Sequence, residues 1–160
     1  MLLVAAGRYS KVGLLGASLA VVVLLVGCAG KQTVPVGNAA EHIRKLALGY
    51  VQFAAANQGV GPADQETLKK HLIERSHLTP EQADSAFVSP RDNQPYQVFW
   101  AIRPMGSGPI GPDPPKPSII IVEKTGADGT RYLADGRLSI RQLPPAEVDA
   151  LLAGESSSQK

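Results

Sequence analysis

Apolar residues recur at helical spacing in the first half of the chain, from residue 38 onward. Asn38, with Glu41 three residues later, has the sequence pattern of a capping box. The positions that follow predict an amphipathic helix over 39–57. The same reasoning predicts a second helix over 64–75 and a third, capped by Thr79, over 80–86. The inward positions of the first helix are Ile43, Leu46, Ala47, Tyr50 and Ala54.

The second half of the chain has the pattern of β-structure. Apolar and polar residues alternate in several short segments, and Asp135-Gly136 is a strong signal for a tight turn. Ser118–Lys124 is apolar on both faces and is predicted to be a central strand. A Pro- and Gly-rich loop is predicted over 106–117, and a short helix over 144–152. The predicted strands are 96–103, 118–124, 130–134 and 137–143, so the fold class is α+β, with helices packed on a small antiparallel sheet.

The segment before these elements has the three parts of an export signal. Arg8 and Lys11 come first without an acidic residue, and the uncharged stretch Val12–Val26 follows. The stretch ends in Leu25-Val26-Gly27-Cys28, which contains the single cysteine of the chain. A retained membrane helix is the alternative, because Val12–Gly30 is free of charge over 19 residues and a spanning helix needs about 20.

This tetrapeptide resembles the lipobox of bacterial lipoproteins, in which the cysteine thiol receives a diacylglycerol and the leader is cut just before it. The resemblance implies lipidation at Cys28, a mature protein that begins there, and a membrane anchor of acyl chains such as palmitate. Two or three chains on one residue give durable attachment, whereas a single chain is marginal. Ala29 after the cysteine implies the outer membrane rather than the inner one.

The predicted domains are a signal peptide over 1–27, a tether over 28–37, one α+β domain over 38–153 and a disordered tail over 154–160. Removing 27 of the 160 residues leaves 133, enough for one domain with its own core. The leader carries two basic residues, so the remainder is balanced at 14 basic and 14 acidic residues. We therefore expect no nucleic-acid partner, and with Cys28 acylated no thiol is left for a disulfide.

Three segments resemble the head domain of type II secretion pseudopilins and related pilin-like exported proteins. They are Ile43–Pro62, Val88–Tyr96 and Gly129–Leu143, the last ending like the closing hairpin of the exported family with a His-x9-Asp-Gly signature. The chain departs from that signature at Thr125, where the family has histidine, and it has no prepilin cleavage site. The resemblance implies a helix packed on an antiparallel sheet and a role in assembly or secretion, without a catalytic residue.

The densest polar cluster is Ser89–Pro95, in which Arg91 could clamp an anion and Asp92 could act as a base. Two prolines around Asp-Asn are what a rigid turn that leads into a strand requires, and this interpretation is favoured over a binding site. Arg91 and Asp92 are the weak binding candidates.

Other chemistry has less support. His71, Glu74 and His77 spread over too wide a helix surface for the metalloprotease spacing. Asp113, Asp128 and Asp135 could supply oxygens for calcium but lack a calcium-loop pattern. No nucleophile motif is present, and Tyr96, Phe99 and Trp100 fit core packing better than ligand stacking. We therefore expect no cofactor, no metal and no catalytic residue.

The sequence as a whole predicts a lipid-anchored, non-enzymatic scaffold or interaction module of the cell envelope or secretion apparatus, with an envelope protein as partner. Two alternatives remain open. One is a small envelope enzyme, hydrolytic or metal-dependent, that uses His71 or His77. The other is a lipid-anchored binder of a small ligand or ion.

Overall fold

The structure is a computed structural model that describes residues 36–106 and 116–158. These residues belong to one compact unit of the chain, 32–160. The predicted leader, the lipidation site Cys28 and most of the tether lie outside the described residues, as does most of the predicted loop. Within the described ranges, no helix combines the length and the apolarity that crossing a membrane requires.

Four helices are described, at the places where the sequence predicts them: α1 (Val36–Ala56), α2 (Gln65–Ser76), α3 (Pro80–Ser85) and α4 (Pro145–Ser158). Helix α1 begins before Asn38, so this residue lies inside the first turn instead of capping it. Helix α4 runs past its predicted end at residue 152, so residues 154–158 of the predicted disordered tail are helical.

The caps of the two short helices follow from local side chains. A carboxylate oxygen of Asp64 accepts the N–H of Thr67 at 2.8 Å and begins α2. Thr79 and Gln82 form the reciprocal capping box of α3, with bonds of 2.9 and 3.3 Å. Each cap satisfies backbone N–H groups that have no acceptor within the helix, which is why α2 and α3 begin where the sequence predicts.

The sheet has four antiparallel strands in the order β1-β2-β3-β4. The strands are β1 (Gln97–Val98), β2 (Ile119–Val122), β3 (Arg131–Asp135) and β4 (Ile140–Leu143). All four residues of β2 are buried and the strand is an interior one, as its apolar sequence predicts. The α+β fold class is thus confirmed.

The strand predicted over 96–103 is wrong in its length, since only Gln97–Val98 forms regular β-structure. Ala101 adopts a left-handed conformation with φ of 56°, which turns the chain away from β2. The segment beyond then bonds to the loop after α1: Gly61 N–H donates to the Ile102 carbonyl, and Ala101 N–H donates to the Pro62 carbonyl, both at 2.8 Å. The bonds to β2 therefore end at Phe99, whose N–H donates to the Ile120 carbonyl at 2.9 Å.

Each face of the sheet has its own apolar cluster. Helix α1 covers one face, where Tyr50 is fully buried, and helix α2 packs on α1 and adds Leu68 and Leu72 to the same cluster. Helix α4 covers the other face through Val148, which is also fully buried. A register irregularity between Ile119 and Ile121 turns both Ile120 and Ile121 toward the α1 side.

The β3–β4 turn is closed by hydrogen bonds to an aspartate side chain, not by a glycine with a positive φ. One Asp135 carboxylate oxygen accepts the N–H groups of Arg137 and Ser139, at 2.9 and 3.1 Å. The positive φ of 61° falls on Leu138. Gly136 is required for another reason, because a Cβ at this position would collide with the carbonyl group of Pro104.

Candidate functional site

The most concentrated polar chemistry of the described residues surrounds Glu123, which directly follows β2. Its side chain is 0% exposed. Oε1 accepts the hydroxyl of Ser89 at 2.7 Å, and Oε2 accepts Nη1 of Arg91 and the backbone N–H of Tyr132, both at 2.8 Å. Both carboxylate oxygens are therefore satisfied, and the buried charge is paired with the opposite one.

Arg91 is held from several directions. Its side chain is 4% exposed, and Nη2 donates to the Ala127 carbonyl at 2.6 Å and to Oγ1 of Thr130 at 3.1 Å. Its guanidinium carbon lies 4.8 Å from the ring centroid of Tyr132, within the range of a cation–π contact. The anion that this arginine clamps is thus the internal carboxylate of Glu123.

Asp92 fastens the same loop at a second point. Oδ1 accepts the N–H of Gln94 at 3.1 Å, the local bond of an Asx turn, and Oδ2 accepts the N–H of Gly126 at 2.7 Å. Ser89 N–H donates to the Gln94 carbonyl at 2.8 Å and closes the turn. The segment 88–96 is therefore a rigid turn, tied to the connection between β2 and β3.

We call this arrangement the Glu123 cluster (Ser89, Arg91, Glu123, Thr130 and Tyr132). Its hydrogen bonds hold the 88–96 turn against the segment that connects β2 and β3. A general base or an anion-binding arginine has to be accessible to its substrate or ligand, whereas the Arg91 and Glu123 side chains are only 4% and 0% exposed and bond to each other. The structure brings the two sequence candidates Arg91 and Asp92 onto one loop, but in structural roles. The sequence analysis missed Glu123, whose signal is a lone acid at the end of a fully apolar strand.

A partly exposed edge of the cluster involves His42 on α1. Its Nδ1 lies 3.3 Å from Oη of Tyr96. Burial, and to a lesser degree the charge of Lys45, lower the pKa of His42. Burial also raises the pKa of Tyr96, against the effect of a hydrogen bond with the Ser89 side chain. Both shifts favour the uncharged form of the side chain.

The histidines of the metal hypothesis lie in different surroundings. His71 packs edge-on against Phe53 with ring centroids 5.5 Å apart, and burial lowers its pKa. His77 is exposed and ends α2 in a left-handed conformation with φ of 54°. In residues 36–106 and 116–158, no group of three or more His, Cys, Asp or Glu side chains is placed to hold a metal ion.

The aspartates considered as calcium ligands also have separate structural roles. Asp113 lies outside the described residues. Asp128 is exposed in the turn before β3, with φ of 53°. Asp135 uses its side chain to close the β3–β4 turn. Both described aspartates thus have the turn function that their sequence context indicates.

The three neighbouring aromatic residues pack into the protein. Tyr96 is 7% exposed and belongs to the α1-side cluster, on which Trp100 also packs. Phe99 packs against the α4-side cluster on the opposite face. They therefore do not share one surface on which a ligand could stack.

The described residues define a small α+β domain with an internal ion pair and a rigid loop. Comparison of the chain with protein-family models, with curated proteins and with solved structures gave no match. The lipoprotein and pilin-like resemblances stay predictions from the sequence.

Proposed function

We propose that this protein is a bacterial lipoprotein, anchored by acyl chains on Cys28, and that its α+β domain is a non-enzymatic interaction module of the cell envelope or secretion apparatus. The domain faces the periplasm or the cell surface, and Ala29 favours the outer membrane. The observation that carries the proposal is the position of the single cysteine, at the end of an uncharged stretch and directly before a polar segment.

The domain supports an interaction role through its rigid loop. Internal hydrogen bonds of three charged side chains hold the segment 88–96 in one conformation; these side chains are Arg91, Asp92 and Glu123. A surface ordered before binding loses less conformational entropy when a partner docks. Met105, directly before the predicted loop over 106–117, is 51% exposed and offers an apolar contact.

The anchor is tested by labelling growing cells with palmitate. We expect label on the wild-type protein and none on the Cys28→Ser variant. A matched control carries Cys28→Ser together with Gly30→Cys, which keeps one thiol but displaces it from the tetrapeptide, and it should also stay unlabelled. Label retained by Cys28→Ser, or a mature N-terminus upstream of Cys28, contradicts the proposal.

The interaction role is tested by cross-linking the acylated protein in intact envelopes. We expect a discrete protein adduct that is lost when Arg91→Ala loosens the loop and is kept when the exposed Arg44 of α1 is replaced by alanine. Recovery of the protein without any protein adduct contradicts the role as an interaction module.

A further inference from the structure

Strand β4 is at the end of the sheet, so among the described residues no strand pairs with its outer side. Helix α4 follows β4 directly and packs its Val148 into the cluster with Leu133 of β3. We call the outer side of Ile140–Leu143 the β4 edge. An open strand edge is a template for pairing with another extended chain.

The ladder between β3 and β4 shows which backbone groups this edge presents. Asp135 N–H donates to the Ser139 carbonyl at 3.2 Å, and the register pairs Leu133 with Arg141. Because hydrogen-bonded pairs alternate along an antiparallel ladder, the backbone N–H and C=O groups of Arg141 bond to β3. Ile140 and Gln142 then direct their N–H and C=O groups away from the sheet. The β4 edge therefore offers two donors and two acceptors to a new strand.

Arg141 lies between these two residues, and one donor of its guanidinium group, Nε, is left without an acceptor among the described residues. This nitrogen is buried. A buried donor left unsatisfied costs about 1–3 kcal/mol, and more for a charged group. On a new antiparallel strand, the residue opposite Arg141 would be in a non-hydrogen-bonded pair, with its side chain on the same face and close to the guanidinium.

A second copy of this chain is a poor occupant of the edge. Self-pairing that uses every outward group matches Ile140 of one copy with Gln142 of the other. It therefore sets the two Arg141 side chains opposite each other, and like charges in this position are destabilising. Shifting the register one way brings Ile140 opposite Pro144, which has no N–H to donate. Shifting it the other way brings Gln142 opposite Leu138, whose N–H already donates to the Asp135 carbonyl at 2.9 Å within the turn.

The parts of the chain outside the described residues fit no better. Residues 1–35 and 159–160 contain no acidic side chain that could neutralise Arg141. The segment 107–115 contains Asp113 but also four prolines, which cannot supply a continuous ladder. Charge complementarity thus points to another protein.

We propose that the β4 edge binds an extended segment of a partner protein as an added antiparallel strand, with an acidic side chain of that segment facing Arg141. Backbone bonds to Ile140 and Gln142 supply sequence-independent affinity, and the carboxylate supplies selectivity. The inference deepens the proposed interaction role and rests on it, but it does not depend on the acyl anchor.

The probe is a short capped peptide of alternating Thr and Val with one central Glu, compared with the same peptide carrying Lys at the centre. Binding to the full chain is followed by NMR shifts and by hydrogen exchange of the Ile140 and Gln142 amides. We expect the Glu peptide to protect both amides. The Lys peptide, or the Arg141→Gln variant, should weaken binding about tenfold, as expected for loss of one charge-assisted hydrogen bond.

Two pairs of variants sharpen the test. Gln142→Pro removes an outward N–H, keeps the backbone bonds to β3 and should abolish binding. It also removes the bond of 2.7 Å from Gln142 Nε2 to Oγ1 of Thr130, so the control is Gln142→Thr, which loses the same side-chain bond but keeps the N–H and should bind. Arg141→Glu should reverse the preference, so that the Lys peptide binds more tightly than the Glu peptide. This charge exchange keeps the proposal testable if the proline variant fails to fold.

Equal affinity for the Glu and Lys peptides, or binding that Gln142→Pro leaves unchanged, overturns the proposal. Protection of the same amides by self-association without peptide shows that a second copy is the occupant and overturns it too. If Gln142→Pro folds and still yields the envelope cross-link, this edge is not the site of the partner, but the proposed interaction role stands. If the wild-type protein gives no cross-linked adduct in envelopes, the proposed function is contradicted instead.

Discussion

The stability of this domain depends on the two side chains of the Arg91–Glu123 ion pair. Both are almost fully buried, so each has lost its hydration and depends on the other. Removing one partner of a buried pair leaves an uncompensated charge, whereas replacing both with apolar groups is often tolerated. The pair therefore makes the conformation of the 88–96 loop sensitive to either residue.

We expect Arg91→Met to destabilise the protein by about 3–5 kcal/mol, because Glu123 stays buried without its counter-charge. Urea unfolding of the purified protein measures the change in the free energy of unfolding. The matched control is Arg44→Met at an exposed position of α1, for which we expect a change within about 0.5 kcal/mol.

The double variant Arg91→Met with Glu123→Leu should recover a large part of that loss, since no buried charge remains. If Arg91→Met were as stable as the wild type, the pair would not hold the loop. The role assigned to the Glu123 cluster would then be wrong.

Stability should fall in mild acid, because of His42 and His71. Burial lowers the pKa of both below the ordinary value of 6.5, so the unfolded chain binds their protons more readily than the folded one. By linkage, the free energy of unfolding decreases as the pH falls below about 6.5, until the folded protein also takes up the protons. Chemical unfolding at a series of pH values measures this slope.

His42→Gln should flatten that slope in part, whereas a substitution at the exposed His77 serves as the matched control. An unchanged slope in the His42 variant would show that His42 does not contribute to the linkage. The group responsible would then have to be sought elsewhere.

At the scale of elements, the β3–β4 hairpin depends on how closely its turn approaches the segment before the long loop. Gly136 N–H donates to the Ser118 carbonyl at 3.0 Å, and its Cα faces the carbonyl of Pro104. The turn thus joins three separate parts of the chain. A side chain at 136 would have to displace backbone rather than a flexible side chain.

We expect Gly136→Ala to destabilise the protein by about 1–3 kcal/mol, the usual cost of overpacking a close contact. The matched control is Gly154→Ala in α4, where a Cβ would meet nothing within 4 Å. There the better helix propensity of alanine should stabilise by up to about 1 kcal/mol. Thermal unfolding of the two variants should shift in opposite directions; a shift in the same direction would contradict this account of the turn.

At the scale of the whole molecule, the sheet is enclosed between helices of very different size. Helix α1 has 21 residues and covers one face, with α2 packed on α1. The other face depends on α4, whose contacts include Val148, the half-buried Leu151 and Leu152, and an ion pair of 2.9 Å between Asp149 and Arg131. Since Asp149 is 67% exposed, that ion pair contributes little, and apolar burial is the main attachment of α4.

We expect Val148→Asp to detach α4, because an unpaired carboxylate would be buried between the helix and the sheet. The cost should be about 3 kcal/mol or more. Binding of a fluorescent apolar dye should rise as the α4-side cluster becomes exposed. Ala150→Asp, two residues away at an exposed position, is the matched control and should bind no additional dye; equal dye binding by both variants would contradict this packing.

Much of the fold could be predicted because its signals are local. The Thr79–Gln82 box, the spacing of apolar residues in α1 and the apolar run in β2 each act within a few residues, and the structure has elements there. The strand over 96–103 could not be delimited in this way, because its end is set by bonds from Ala101 and Ile102 to the loop at 61–62. Such competition between two distant partners leaves no periodic signal.

The candidate site shows the same division. Sequence alone determined that this chain has an α+β domain, that Arg91 and Asp92 lie in a polar turn, and that the single cysteine ends an apolar stretch. Only the tertiary structure decided what Arg91 binds, because Glu123 is 32 positions away in sequence. Local propensity reports the conformation of a segment, whereas the partner of a charged group depends on which segments folding brings together.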